Sequence, residues 1–211
     1  MVTIYHLGVS QSDRVVWLME ELNAPYTIEW YDRGSDGLAP AEYRALHPAG
    51  TAPIIKDGDV VLAESAAIVE YLSQRYGNGQ LSVAPDQANY PDYLYWMQFS
   101  NNALTLFFIH LTVGVFPVEQ QAAANVDFLT RREEAYYQHL NQRLGEVDFL
   151  AGDTLTCADI LAVFNLTTLP LAGARKVDDL PNVVAYLERI QQRPAYSKAM
   201  SIAGPGAQKP L

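Results

Sequence analysis

The sequence predicts an α/β domain followed by an all-helical domain, and three observations carry that expectation. Strand-type and helix-type spacings of apolar residues alternate as far as Tyr76. A break rich in turn residues follows, Gly77-Asn78-Gly79-Gln80 and then Pro85-Asp86-Gln87. Past it, apolar residues recur only at helical spacing. The expected divisions are residues 1–77, a linker over 78–88, and a helical bundle over 89–211.

Each element has its own signal. Val2-Thr3-Ile4-Tyr5-His6 is dominated by β-branched and aromatic residues and reads as a strand. From Ser12, Val15, Val16, Leu18, Met19 and Leu22 fall at helical spacing, with Asp13 placed to complement the helix dipole. Tyr26 to Tyr31 is a second strand after Pro25, and Ala41 to Leu46 a short helix that Pro48 stops. Two apolar runs flank Asp57-Gly58, a strong local signal for a hairpin. Pro53 heads the first run, where its missing N–H and fixed φ leave the preceding backbone free to meet an extended ligand. Glu64-Ser65 then opens a helix through Ile68, Val69 and Leu72, whose unpaired N–H groups suit a carboxylate. The order βαβαββα joins a βαβ unit to a hairpin, as in a thioredoxin-like domain.

Beyond the linker, Pro91 falls where a first helical turn accepts proline, and Tyr93 to Phe108 is apolar on more than one face until Gly114 and Pro117. Asn125 to Leu144 is amphipathic. Leu155-Thr156-Cys157-Ala158-Asp159-Ile160 has a capping-box pattern, with Thr156 as cap, Asp159 at the third helical position and Leu155 against Ile160 as staple. Asn182 to Gln192 forms a last helix that Pro194 closes, and the tail Gly204-Pro205-Gly206-Ala207 reads as loose.

Composition bounds the function. Hydrophobic residues make up 49% of 211, enough for a sizeable core. With 24 acidic and 14 basic residues the formal charge is −10, which argues against nucleic acid and against an anionic membrane surface. The sequence shows no targeting pattern and no membrane-length apolar run, so the expectation is a soluble, cytoplasmic protein without membrane insertion. The lone Cys157 excludes an internal disulfide and a Cys-x-x-Cys redox pair, so thiol chemistry would have to come from a ligand. One residue into a capped helix, Cys157 reads as buried and inert, His110 reads as a core or interface histidine, and no cluster has metal spacing.

The run Gly50-Thr51-Ala52-Pro53 before an apolar strand, followed by Glu64-Ser65 at a helix start, resembles a cytosolic glutathione transferase. The loop Gly8-Val9-Ser10-Gln11-Ser12-Asp13-Arg14 is similar to that of bacterial and fungal serine-type, theta- or phi-like members, with an active serine and an arginine four positions on. The resemblance implies a detoxifying enzyme with glutathione as co-substrate, no metal, a small hydrophobic electrophile as second substrate, and a two-fold homodimer. It implies Ser10 as the catalytic residue and a cis peptide before Pro53. It also implies Ala52 meeting the cysteinyl backbone, and Glu64 and Ser65 holding the γ-glutamyl end. Thr51 stands where many relatives carry Lys, Arg or Gln for the glycyl end, leaving Arg33, His47 and Arg14 as substitutes. Ser12 and Tyr5 compete with Ser10, and Ser12 also reads as a cap on its helix.

The chemistry is consistent with those residues. A thiol with a pKa of about 8.5 needs roughly 2.7 kcal/mol of differential stabilisation to fall by about two units. A helix N-terminus and a hydroxyl donor supply that kind of stabilisation. Serine is too weak a base to take the thiol proton, so its role would be donor. Aromatic residues on the first long helix of the second domain, Tyr93, Tyr95, Trp96, Phe99, Phe107, Phe108 and Phe116, are core residues or a pocket for the electrophile, and Asn101 and Asn102 line a cleft or bond between helices. The same architecture also serves non-enzymatic interaction proteins and glutathione-dependent peroxidases, dehalogenases, isomerases and lyases.

Overall fold

A computed structural model describes residues 1–114 and 126–210, without the side chains of residues 106 and 108–114. The chain divides into two compact units, Met1–Pro85 with Ile190–Leu211, and Asp86–Arg189. The segment from Ile190 onward thus groups with the first unit, whereas the sequence placed it in the helical domain.

The first unit is built on a four-stranded sheet in the order β2-β1-β3-β4. Strand β1 (Val2–Leu7) lies parallel to β2 (Tyr26–Tyr31) and antiparallel to β3 (Ile54–Asp57), which pairs with β4 (Val60–Ala63). Between β3 and β4 the turn is Gly58-Asp59, with Gly58 at φ +60°, a conformation glycine adopts without strain. Helices α1 (Ser12–Glu21) and α3 (Ser65–Gly77) pack together beside the sheet. Tyr43, from the short α2 (Ala41–Arg44), packs with Tyr5, Leu7, Ile54 and Ala63. With both faces of β1 covered, Val2, Ile4, Tyr5, His6 and Leu7 are all buried, which explains why apolar residues stand on both faces of that strand. The Ala52–Pro53 peptide is cis.

Pro194, which the sequence marked only as a stop, also opens a helix running Pro194–Ala203. Proline fits the first turn because its missing N–H has no intrahelical partner there. This helix, the last of eight among the described residues, is α8. It packs on α1: the Trp17 and Tyr196 rings meet edge to face at 4.9 Å, and Arg193 Nε and Nη2 each lie 2.7 Å from a Glu21 carboxylate oxygen. Lys198 reaches Glu20 at 2.8 Å. The covering explains why Val15 to Met19 are buried around the whole circumference of α1.

The second unit contains α4 (Tyr90–Gly114), α5 (Val126–Leu144), α6 (Cys157–Thr167), a 3₁₀ turn (Leu169–Ala172) and most of α7 (Pro181–Gln191). Pro117, Phe116 and Asn125 lie outside the described residues, as do the side chains of Phe108 and His110. Helix α6 is buried from Cys157 to Leu166 and carries the expected capping box. Asp159 accepts from Leu150 N at 3.0 Å, Thr156 N at 2.8 Å, Thr156 Oγ1 at 3.1 Å and Tyr186 Oη at 3.0 Å. Asn165 Nδ2 donates to the Ser100 carbonyl at 2.7 Å, tying α6 to α4. No helix among the described residues is long and apolar enough to cross a membrane.

Candidate functional site

The loop between β1 and α1 brings three polar side chains into a buried row. Ser10 Oγ lies 2.6 Å from the Leu7 carbonyl and 2.8 Å from Ser12 Oγ, which lies 2.8 Å from His6 Nδ1. All three residues are buried, Ser10 at 5% exposure and the others at 0%. Ser12 is therefore not the cap the sequence suggested. It is the first helical residue, and its hydroxyl turns back to β1 because His6 offers a partner there. Burial pushes the His6 pKa down to about 4, so the ring is neutral at pH 7. Among the described residues its Nε2 has no hydrogen-bond partner, and its ring lies 4.3 Å from that of Trp30.

Two further groups hold the loop. Arg33 donates to the carbonyls of Gly8 and Val9, each at 2.9 Å, and to that of Gly37. Val9 itself is at φ +50°, so these bonds secure a conformation a β-branched residue resists. Arg33, one of the three substitutes expected for the glycyl end, is engaged here with backbone carbonyls. Asp13 is 4% exposed, with Oδ1 unpaired among the described residues. Burial outweighs the neighbouring Arg14 and raises its pKa to about 7.

Arg14 lies 1% exposed. Its Nη1 donates to Ser65 Oγ at 3.2 Å and to Gln11 Oε1, while Ser65 Oγ donates to the same Gln11 oxygen at 3.1 Å. The N-termini of α1 and α3 are joined by this triangle. Glu64, exposed, precedes α3 at φ +76°, ψ 115°, a strained position for a residue with a Cβ, worth about 1–3 kcal/mol. No side chain caps α3. Ala52 precedes the β3 ladder and Thr51 is exposed. His47 Nδ1 accepts from Ala49 N at 3.1 Å. Tyr5, the strand competitor, alternates to the face opposite His6 and packs on Tyr31 and Tyr43; burial raises its pKa.

Residues 10–75 match the family model described as "Glutathione S-transferase, N-terminal domain", and residues 80–194 match "Glutathione S-transferase, C-terminal domain". The chain belongs to the glutathione S-transferase family. Among its relatives, glutathione S-transferase 3 of Schizosaccharomyces pombe is 31% identical over 92% of this chain and 85% of its own. A crystal structure of a glutathione S-transferase from Actinobacillus pleuropneumoniae superposes with a TM-score of 0.88 at 33% identity, covering 98% of this chain and 95% of that one. The theta class glutathione S-transferase of Xanthomonas axonopodis pv. citri, with glutathione bound, gives 0.71 at 25% identity over 96% and 98%.

In the helical unit of this transferase, Tyr93, Trp96 and Phe107 are buried core residues, whereas Phe99 is half-buried and Tyr95 is 48% exposed. Phe99 stacks on Tyr136 of α5 at 4.9 Å, and Tyr95 Oη meets His139 Nε2 at 3.0 Å. Asn101 is half-buried and Asn102 exposed. Cys157 is fully buried. Among the described residues no group of three His, Cys, Asp or Glu side chains is placed to hold a metal ion. Sequence reasoning missed His6 and Gln11. A histidine within an otherwise apolar strand, two serines downstream, was the signal available for the first.

Proposed function

We propose that this transferase binds glutathione in its first unit and activates the thiol through the Ser10 hydroxyl and the N-terminal end of α1. The thiol proton leaves to water. The thiolate then attacks the electrophilic carbon of a small hydrophobic substrate, the C–S bond forming as the leaving group departs with its electron pair. Glu64 takes the γ-glutamyl ammonium. Ser65, with the uncapped N–H groups of α3, takes the γ-glutamyl carboxylate, and Arg14 adds a positive charge beside them. Ala52 meets the cysteinyl backbone, and Thr51 gives the glycyl end only a short contact. A cytoplasmic homodimer acting without a metal completes the proposal.

The observation that supports this reading best is the Arg14–Ser65–Gln11 triangle, because it sets the two helix N-termini side by side within one compact unit. One terminus suits a sulfur anion and the other a carboxylate. The inward-turned Ser10 hydroxyl, bonded to Leu7, favours a second reading in which the fold is a scaffold without thiol chemistry.

Titrating the thiolate absorbance of bound glutathione decides between them. The proposal expects a pKa about two units below the free value of about 8.5. It expects Ser10→Ala to raise that pKa and to lower kcat/KM about 10²-fold, by analogy with loss of one anion-stabilising donor. An unshifted pKa in the natural protein supports the scaffold. Screening halogenated aromatics, epoxides and hydroperoxides then identifies the electrophile class.

A further inference from the structure

The row of polar groups behind Ser10 has a direction that proton counting reveals. The Leu7 carbonyl can only accept, so at 2.6 Å Ser10 must donate to it. Ser10 has then used its one proton, and the 2.8 Å contact with Ser12 requires Ser12 to donate. Ser12 has likewise used its own, so the 2.8 Å contact with His6 requires His6 to carry its proton on Nδ1. No other placement of three protons on a neutral imidazole and two hydroxyls fills all three contacts.

We propose that His6 and Ser12 are positioning residues for the Ser10 hydroxyl, forming a one-way donor chain from the imidazole through two serines to the sulfur of the bound tripeptide. The proposal rests on the reading that Ser10 serves the thiolate. When the sulfur anion arrives, only the last proton has to turn, from the Leu7 carbonyl to sulfur, because a bond to a charged acceptor is roughly twice as strong as one to a neutral carbonyl. Ser10 Oγ keeps the Ser12 hydroxyl as donor, with Ser12 N at 3.4 Å, and a hydroxyl that accepts one hydrogen bond donates a stronger one. A purely structural role explains the histidine poorly. Its Nε2 is buried against Trp30 without a partner among the described residues, where an apolar side chain would fill the strand position with nothing left unpaired.

The ionisable groups around the chain are Arg33 on the loop carbonyls, Asp13 and Arg14 on α1, and Tyr5 and Tyr31 on the opposite sheet face. All are retained in the variants used. Nitrogen-15 spectra of histidine-labelled, full-length protein should show His6 neutral and protonated at Nδ1, with and without glutathione. The Nε2-protonated tautomer would overturn the chain. Ser12→Ala and His6→Phe should each raise the pKa of bound glutathione by about half a unit, in line with cooperative strengthening of one bond. KM for glutathione should stay within about twofold, since both side chains are fully buried. His6→Asn, which keeps an N–H donor near the Nδ1 position, should restore the natural value and guards against misfolding in His6→Phe. Adding Ser12→Ala to Ser10→Ala should produce no further shift, because Ser12 acts only through Ser10. If Ser10→Ala raises the pKa while Ser12→Ala and His6→Phe do not, the chain is wrong and the serine reading stands. If Ser10→Ala itself shifts nothing, both fall.

Discussion

Two helices of this protein begin with a buried aspartate in the first turn, and the two ends are finished in opposite ways. At α6, Asp159 accepts from four donors and Thr156 caps the helix in return, so the turn is saturated. At α1, Asp13 keeps one oxygen unpaired among the described residues, the Gln11 side chain caps no backbone N–H of the helix and bonds to Arg14 and Ser65 instead, and the nearby hydroxyls bond to one another and to His6. Burial raises both carboxyl groups above the ordinary range. The difference lies in the donors supplied against that burial. A saturated turn locks its unit together; an unsaturated one keeps donors and a helix dipole available for a ligand.

Four substitutions test this contrast, ordered by how far each should move the unfolding free energy. Asp159→Ala strands the Leu150 and Thr156 N–H groups and the Tyr186 hydroxyl in the core, and should lower the urea-unfolding free energy by roughly 3–9 kcal/mol at about 1–3 kcal/mol for each orphan. A loss near 1 kcal/mol would mean that the turn relaxes and is not locked. Asp13→Asn should act the other way. The folded pKa of Asp13, about 7, lies above the unfolded value of 3.8, so its contribution is fully present below about pH 4 and lost as pH rises through 7. The asparagine variant escapes that loss, so its advantage should grow across this window to roughly 4 kcal/mol at pH 8, taking about 1.4 kcal/mol per unit. A difference that does not change with pH would show that Asp13 is solvated.

Thr156→Ala removes a cap and should cost about 1–2 kcal/mol by the same unfolding measurement. Ser10→Ala should change unfolding by only about 0.5 kcal/mol, because the Leu7 carbonyl can turn to Ser12 Oγ, now 3.5 Å away. Its effect should appear in the thiolate titration instead. A large stability loss in Ser10→Ala with an unaltered titration would make the α1 end structural like that of α6.

Much of the saturated end was legible in the sequence, and less of the other. Thr156, Asp159 and their flanking Leu155 and Ile160 form a contiguous local pattern, and local patterns determine local bonds. The hairpin and Glu64-Ser65 were legible for the same reason. At α1 the partners come from elsewhere: His6 from the preceding strand, and Ser65, 51 positions beyond Arg14. Ser12 satisfied the local rule for a cap, but a tertiary partner took its hydroxyl. Pro194 misled differently, since a residue that ends one helix can also occupy the first turn of the next.

The return of α8 to α1 also sets an order of events at the ribosome. Trp17 and its neighbours are translated early, yet Tyr196 and Arg193, which cover them, emerge only after all of residues 86–189 have been made. At about 5–20 residues per second that interval is roughly 5–20 s, during which the nascent first unit exposes an apolar helix face. Chaperone contact with the growing chain should therefore concentrate on α1 and end when the α8 segment clears the tunnel.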